Sequence, residues 1–108
     1  MALPQIVETP IFTKQVEQYL DFEEYRALQV FLAINPRLGV LIPGSGGLRK
    51  LRWPKGGRGK SGGIRVIYYW APRHGTILML YMFGKNERSD LTPSQLRILR
   101  RVVEEEFK

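Results

Sequence analysis

Cysteine is absent from the 108 residues, and histidine occurs once, as His74. The first absence excludes disulfides, thiolate-ligated zinc and cysteine nucleophiles. The second argues against a metal site built from imidazoles. No run of about 18 apolar residues occurs, so nothing in the chain reads as a membrane-spanning helix. The opening MALPQIVETP has neither the basic patch nor the apolar run of a secretory signal. Acids are missing from the whole middle of the chain: residues 25–86 hold eleven bases and no acid. Residues 1–24 carry a net −4, and in residues 87–108 the charges cancel, which leaves +7 for the chain.

What is present is apolar enough to fold. Hydrophobic residues make up 44% and aromatics 11%, beyond the range of a disordered chain. The length predicts one domain spanning 1–108, with a small core, soluble and cytoplasmic. Ordinary protein surfaces mix charges of both signs, so an acid-free stretch of this length makes a field suited to a polyanion, most commonly nucleic acid. An anionic membrane would call for the charges on an amphipathic helix, whereas here most fall in segments that read as strands and loops.

Thr9-Pro10 opens a helix with Phe12, Val16, Tyr19 and Leu20 on one face. Asp21 with Glu24 starts a second, whose stripe is Tyr25, Leu28, Phe31 and Leu32, and Asn35-Pro36 stops it. After the turn Pro43–Gly47 the period changes. Leu48–Trp53, Ile64–Trp70 and Ile77–Phe83 read as strands, the last apolar throughout and therefore central and covered on both faces. A glycine-rich segment, Pro54–Gly62, separates the first two, and Pro72–Gly75 turns between the second and third. Thr92-Pro93 with Gln95 starts a final helix, with Leu96, Leu99, Val102, Val103 and Phe107 in its stripe. Residues 4–8 add an edge strand. The fold class is therefore α+β: an N-terminal helix pair on an antiparallel sheet, then a C-terminal helix.

Strand alternation sorts the side chains. Lys50 and Arg52 share one face of their strand; Arg49, Leu51 and Trp53 share the other. In the next strand Ile64, Val66, Tyr68 and Trp70 form the apolar face, while Arg65, Ile67 and Tyr69 point away from it. One face is thus expected under the helices, and the other is expected to collect Lys50, Arg52 and Arg65. Lys55, Arg58 and Lys60 come from the glycine-rich segment, and Lys85 ends the third strand. Cations beside an aromatic, Tyr69, are the composition that single-stranded RNA binding requires. Trp53, Trp70 and Tyr68 read as core, and His74 as an exposed turn residue. Gly59-Lys60-Ser61 is no phosphate loop, because Pro54 stands where that pattern needs glycine and no helix follows. Glu104, Glu105 and Glu106 oppose the dipole of the last helix and are expected to pair with Arg100 and Arg101.

Three segments, GGLRKLRW (46–53), GKSGGIRVIYYW (59–70) and LYMFGKNERSDLTPSQLRILR (80–100), resemble the RelE/HigB family of bacterial type II toxins in order and spacing. The resemblance covers about half the chain. It implies a small RelE-like toxin, an endoribonuclease that cleaves messenger RNA on the ribosome and so inhibits translation. It also implies a co-encoded antitoxin with a helix-turn-helix DNA-binding domain, and no metal or other cofactor. The residues it marks as catalytic are Lys50, Arg52, Arg65, Lys85 and Glu87. Arg49, Lys55, Arg58, Lys60, Tyr69 and Asn86 are the expected RNA contacts. RelE has an arginine after the lysine of the Lys85 corner and a tyrosine at the start of its last helix. Here Asn86 and Thr92 stand at those places, which leaves the general base open.

Metal-free cleavage needs a proton acceptor for the ribose 2′-hydroxyl, stabilisation of the phosphorane charge and a proton donor for the leaving oxygen. Lys and Arg supply the second role. Lys50 or Lys85 serves as base, or Glu87, the only carboxylate near the site in sequence. The rival class is non-enzymatic: a ParE-like gyrase inhibitor, or a plain basic nucleic-acid-binding module. The antitoxin either covers the basic face or docks on the acidic N-terminal helices, the second being favoured.

Overall fold

Each of the three helices begins with a side chain that satisfies a first-turn amide of its own helix. Thr9 accepts from the Phe12 N–H at 3.1 Å, while Asp21–Glu24 and Thr92–Gln95 form reciprocal capping boxes. The computed structural model describes residues 2–54, 63–85 and 90–107. In it these starts produce α1 (Pro10–Tyr19), α2 (Phe22–Ile34) and α3 (Pro93–Glu106). The strands are β1 (Gln5–Glu8), β2 (Val40–Leu41), β3 (Leu48–Trp53), β4 (Ile64–Ala71) and β5 (Thr76–Gly84). They form one sheet in the order β1-β5-β4-β3-β2. The α+β class is as expected, but the sheet is mixed. β1 runs parallel to β5, because the chain crosses back through both helices and three strands before β5 is laid down beside it. The two-residue β2 was not legible in the sequence pattern; it pairs with β3 at Lys50 and Arg49. No helix among the described residues is long and apolar enough to cross a membrane.

The sheet carries an apolar core on each face. Beneath α1 and α2, Phe12, Val16, Leu28 and Leu32 meet Leu51, Ile64, Val66, Tyr68, Ile77, Met79 and Met82. On the opposite face α3 brings Leu99 and Val103 onto Leu48, Ile67, Leu78, Leu80 and Phe83. The face expected to be free and basic is therefore half covered. An uncovered Ile67, Leu78 and Leu80 would leave three large apolar side chains in water, each worth about 1.5–3 kcal/mol when buried. Phe31 also departs from expectation. It lies on the outer side of α2, half exposed, with its ring edge-on to Trp53 at 5.4 Å, while Leu28 and Leu32 alone of that stripe are fully buried.

A bulge sets which β5 side chains face which core. Ile67 pairs with Tyr81 but Tyr68 pairs with Met79, so Leu80 is an extra residue in β5. Alternation without the bulge would put Phe83 with Ile77; the extra residue moves it to the α3 side. Beyond the reach of β1, side chains of α1 take over the open edge of β5. Thr9 Oγ1 donates to the Leu80 carbonyl at 3.1 Å, and the Met82 N–H donates to Gln15 Oε1 at 2.8 Å. The cap of α1 thus also seals the bulge.

Two buried phenols tie the helices down. Tyr25 donates to Glu8, which also accepts from Thr13 Oγ1 at 2.6 Å, so one carboxylate of β1 holds both α1 and α2. Burial and the Glu8 carboxylate push the Tyr25 phenol well above its usual range, Gln29 opposing in part. Tyr68 accepts from the Gly39 N–H and donates to the Pro36 carbonyl, each at 2.8 Å. A Cβ at Gly39 would sit 2.9 Å from the Tyr68 ring, so only glycine lets the chain pass this close. Tyr68→Phe would strand a buried N–H and a carbonyl. We expect it to lower the unfolding free energy by about 1–3 kcal/mol, read as a reduced urea midpoint at unchanged slope. An unchanged midpoint would show that water replaces the hydroxyl.

Candidate functional site

Lys50 and Arg52 are two apart in β3 and so share a face; register then sets their neighbours. Lys50 pairs with Ile67 and, through it, Tyr81; Arg52 pairs with Arg65 and, through it, Phe83. Directly opposed side chains in an antiparallel pair stand about 5 Å apart at Cβ, and like charges placed so repel. Among the described residues neither Arg52 nor Arg65 meets an acid; the one salt bridge there is Lys50 Nζ to Asp90 Oδ2, at 3.2 Å. Arg52 is exposed and Arg65 half-buried, with a guanidinium nitrogen 3.8 Å from the place a Cβ would take on Gly63. Gly63 has φ +53° and its carbonyl accepts the Lys85 N–H, which brings the exposed Lys85 to the same end of the sheet. α3 covers the rows of Leu48 and Ile67 but leaves the Arg52–Arg65 row open.

Other expected contacts lie elsewhere. Arg49 is on the opposite face of β3, where its guanidinium donates to the carbonyls of Gly39 at 2.7 Å and Arg37 at 3.2 Å. It is a brace for the segment around Gly39. Tyr69 is half-buried beneath the end of α3, its ring 5.7 Å from Phe107, so it offers no open face among the cations. Lys55, Arg58, Lys60, Asn86 and Glu87 lie outside the described residues. Arg100 does not pair with the C-terminal acids: its Nε is 3.0 Å from the place of a Cβ on Gly46, and no ion pair joins Arg100 or Arg101 to Glu104–Glu106 among the described residues. His74 is exposed in a 3-10 turn, its ring 4.8 Å from Phe107.

The carboxylate that sequence reading missed is Asp90. Glu87 is nearer to the Lys85 corner along the chain, but it is Asp90 that tertiary structure sets against Lys50. Slight burial works to raise its pKa, yet the Leu91 N–H and the Lys50 ammonium outweigh this and hold the carboxyl below its ordinary value. The signal in the sequence was faint: an acid two residues before a helix cap, with nothing to say which strand it would meet.

No protein-family model matches the chain. Among solved structures it is similar to the Escherichia coli toxin RelE, seen in its free state as a double-arginine-to-alanine variant. The TM-score is 0.61 at 12% identity, covering 93% of this chain and 96% of that one. The fold is RelE-like. The helix pair, the central sheet and the C-terminal helix of this RelE-like fold are the parts that bring Lys50, Arg52, Arg65 and Lys85 to one end of one face.

A carboxyl held low by a folded-state partner contributes stability above its unfolded pKa and loses it as acid protonates it. Carbon-detected titration of Asp90 should therefore give a midpoint below the ordinary aspartate value, and Lys50→Met should move that midpoint up. Identical midpoints in the two proteins would show that the pair does not form in solution.

Proposed function

We propose that this chain is the toxin of a type II toxin–antitoxin pair, a metal-independent endoribonuclease that cleaves messenger RNA on the ribosome in the cytoplasm. The observation that carries this reading is the Arg52–Arg65 pair. Two arginines face each other across neighbouring strands with no acid among the described residues, on the one row of a RelE-like sheet that the last helix leaves open. Such a pair costs stability unless an anion bridges it. A pentavalent phosphorane, with its extra negative charge, gains more from it than the ground-state phosphodiester does.

In this reading the 2′-hydroxyl attacks the adjacent phosphorus, and the bond to the 5′-oxygen breaks. Arg52 and Arg65 hold the non-bridging oxygens. Lys50, paired with Asp90, acts as a cation. Lys85, whose ammonium meets no acid among the described residues, is the described group suited to carry a proton to the leaving oxygen. No described histidine or acid pair stands ready to activate the nucleophile, so the ribosome supplies much of the rate by holding the message in an attack geometry. Arg65→Ala should keep the fold and lower the rate about a hundredfold, the roughly 3 kcal/mol expected for one lost transition-state donor. Primer extension on a reporter message after induction reads it: discrete cuts with the wild type, few with the variant. Intact message together with blocked replication would move the reading to a ParE-like gyrase inhibitor.

We also assign the antitoxin to the outer face of α2. Phe22 is 77% and Ile34 73% exposed, with Val30 and Phe31 between them, an apolar stripe that soluble monomers seldom leave open. An antitoxin seated there blocks ribosome entry by bulk and leaves the arginine row uncovered. Calorimetry with the co-encoded antitoxin should show affinity lowered about tenfold or more by Phe22→Ser with Ile34→Ser. The Lys50/Arg52/Arg65 triple alanine should bind nearly as the wild type does. A large loss in the triple variant would place the antitoxin on the basic face instead.

A further inference from the structure

Asp90 is the one acid among the described residues that reaches the basic face, and it comes from forty positions along the chain. Its position does not depend on the lysine it meets. Oδ1 accepts from the Leu91 N–H at 2.9 Å, Leu91 is buried in the core beneath α3, and the Thr92–Gln95 capping box sets the first turn that follows. The carboxylate is thus delivered by the start of α3. Lys50 is the partner that turns toward it: its side chain is 28% exposed, against 59% for Asp90. Lys50 stands one row from the Arg52–Arg65 pair, about 7 Å along the strand at Cβ. An anion bound by the arginines therefore sits within reach of both the ammonium and the carboxylate, and is attracted by one and repelled by the other.

We infer that Asp90 is a specificity-determining residue: it occupies the Lys50 ammonium and lets it go only to an RNA backbone already held by Arg52 and Arg65. This rests on the proposed reading of the face as an RNA site. An exposed ion pair is worth about 0–1 kcal/mol, so the hold is weak enough for a second phosphate to break and strong enough to bias against isolated phosphates. The consequence is a site whose third cation is used only when two neighbouring phosphates arrive together. That favours an extended single strand over mononucleotides, which are abundant competing anions in any cell.

The test is binding, not cleavage. The probe is a labelled single-stranded oligoribonucleotide with 2′-O-methyl groups, which cannot be cut because the nucleophile is blocked. Fluorescence anisotropy is followed across a salt series with the full chain. Asp90→Asn keeps an oxygen acceptor for the Leu91 N–H, so the start of α3 is preserved. It should tighten binding about two- to fivefold and steepen the salt dependence by about 0.7, the value for one more phosphate contact on a single strand. Adding Lys50→Gln to Asp90→Asn should cancel both gains, since the coupling runs through that ammonium. Affinity for a mononucleotide should rise more in Asp90→Asn than affinity for the oligomer does. Weaker binding in Arg65→Ala with no gain in Asp90→Asn, or a gain that survives the loss of Lys50, overturns this inference alone. Unchanged binding in Arg65→Ala overturns the reading of the face as well.

Discussion

The arrangement follows from one constraint: β5 is apolar on both faces and lies inside the sheet. From Thr76 to Gly84 only Tyr81 is less than fully buried. A strand of that composition is stable only if both faces of the sheet are covered, and the chain covers them with different elements. The helix pair takes the Ile77, Met79 and Met82 side; α3 takes the Leu78, Leu80 and Phe83 side. A single helix of fourteen residues cannot span the whole second face. What it leaves open is the far row, where Arg52 faces Arg65.

Charge placement then follows from where apolar cover runs out. The arginines need no counter-acid because they are at the open end and solvent screens them in part. The repulsion between them is tolerated because the strands that carry them are held by Leu51, Ile64 and Val66 beneath α1 and α2. Arg49, one residue from the same row but on the other face, is used differently, as a donor to two carbonyls. A basic residue count alone does not separate these roles. The face and the row do.

Local order was largely legible. The three caps at Thr9, Asp21 and Thr92, the alternation in β3 and β4, and the stripe Leu96–Leu99–Val103 depend on neighbours within four residues, and each appears as read. The co-location of Lys50, Arg52 and Arg65 was legible for the same reason, once antiparallel pairing of β3 with β4 was assumed. Tyr69 misled because alternation assigns a face and does not say what covers it. Glu87 drew attention because proximity along the chain stood in for proximity in space.

The sequence by itself determined the element types, their order, the two faces of each strand and the acid-free middle of the chain, because propensity, capping and periodicity are short-range effects. Tertiary structure alone decided that β1 runs parallel beside β5, that Leu80 bulges and so turns Phe83 to the α3 face, that α3 closes over Tyr69, and that Asp90 meets Lys50. Each of these depends on which apolar surfaces find each other across dozens of residues. That choice is made by the burial of the whole core, and no window of neighbouring residues contains it.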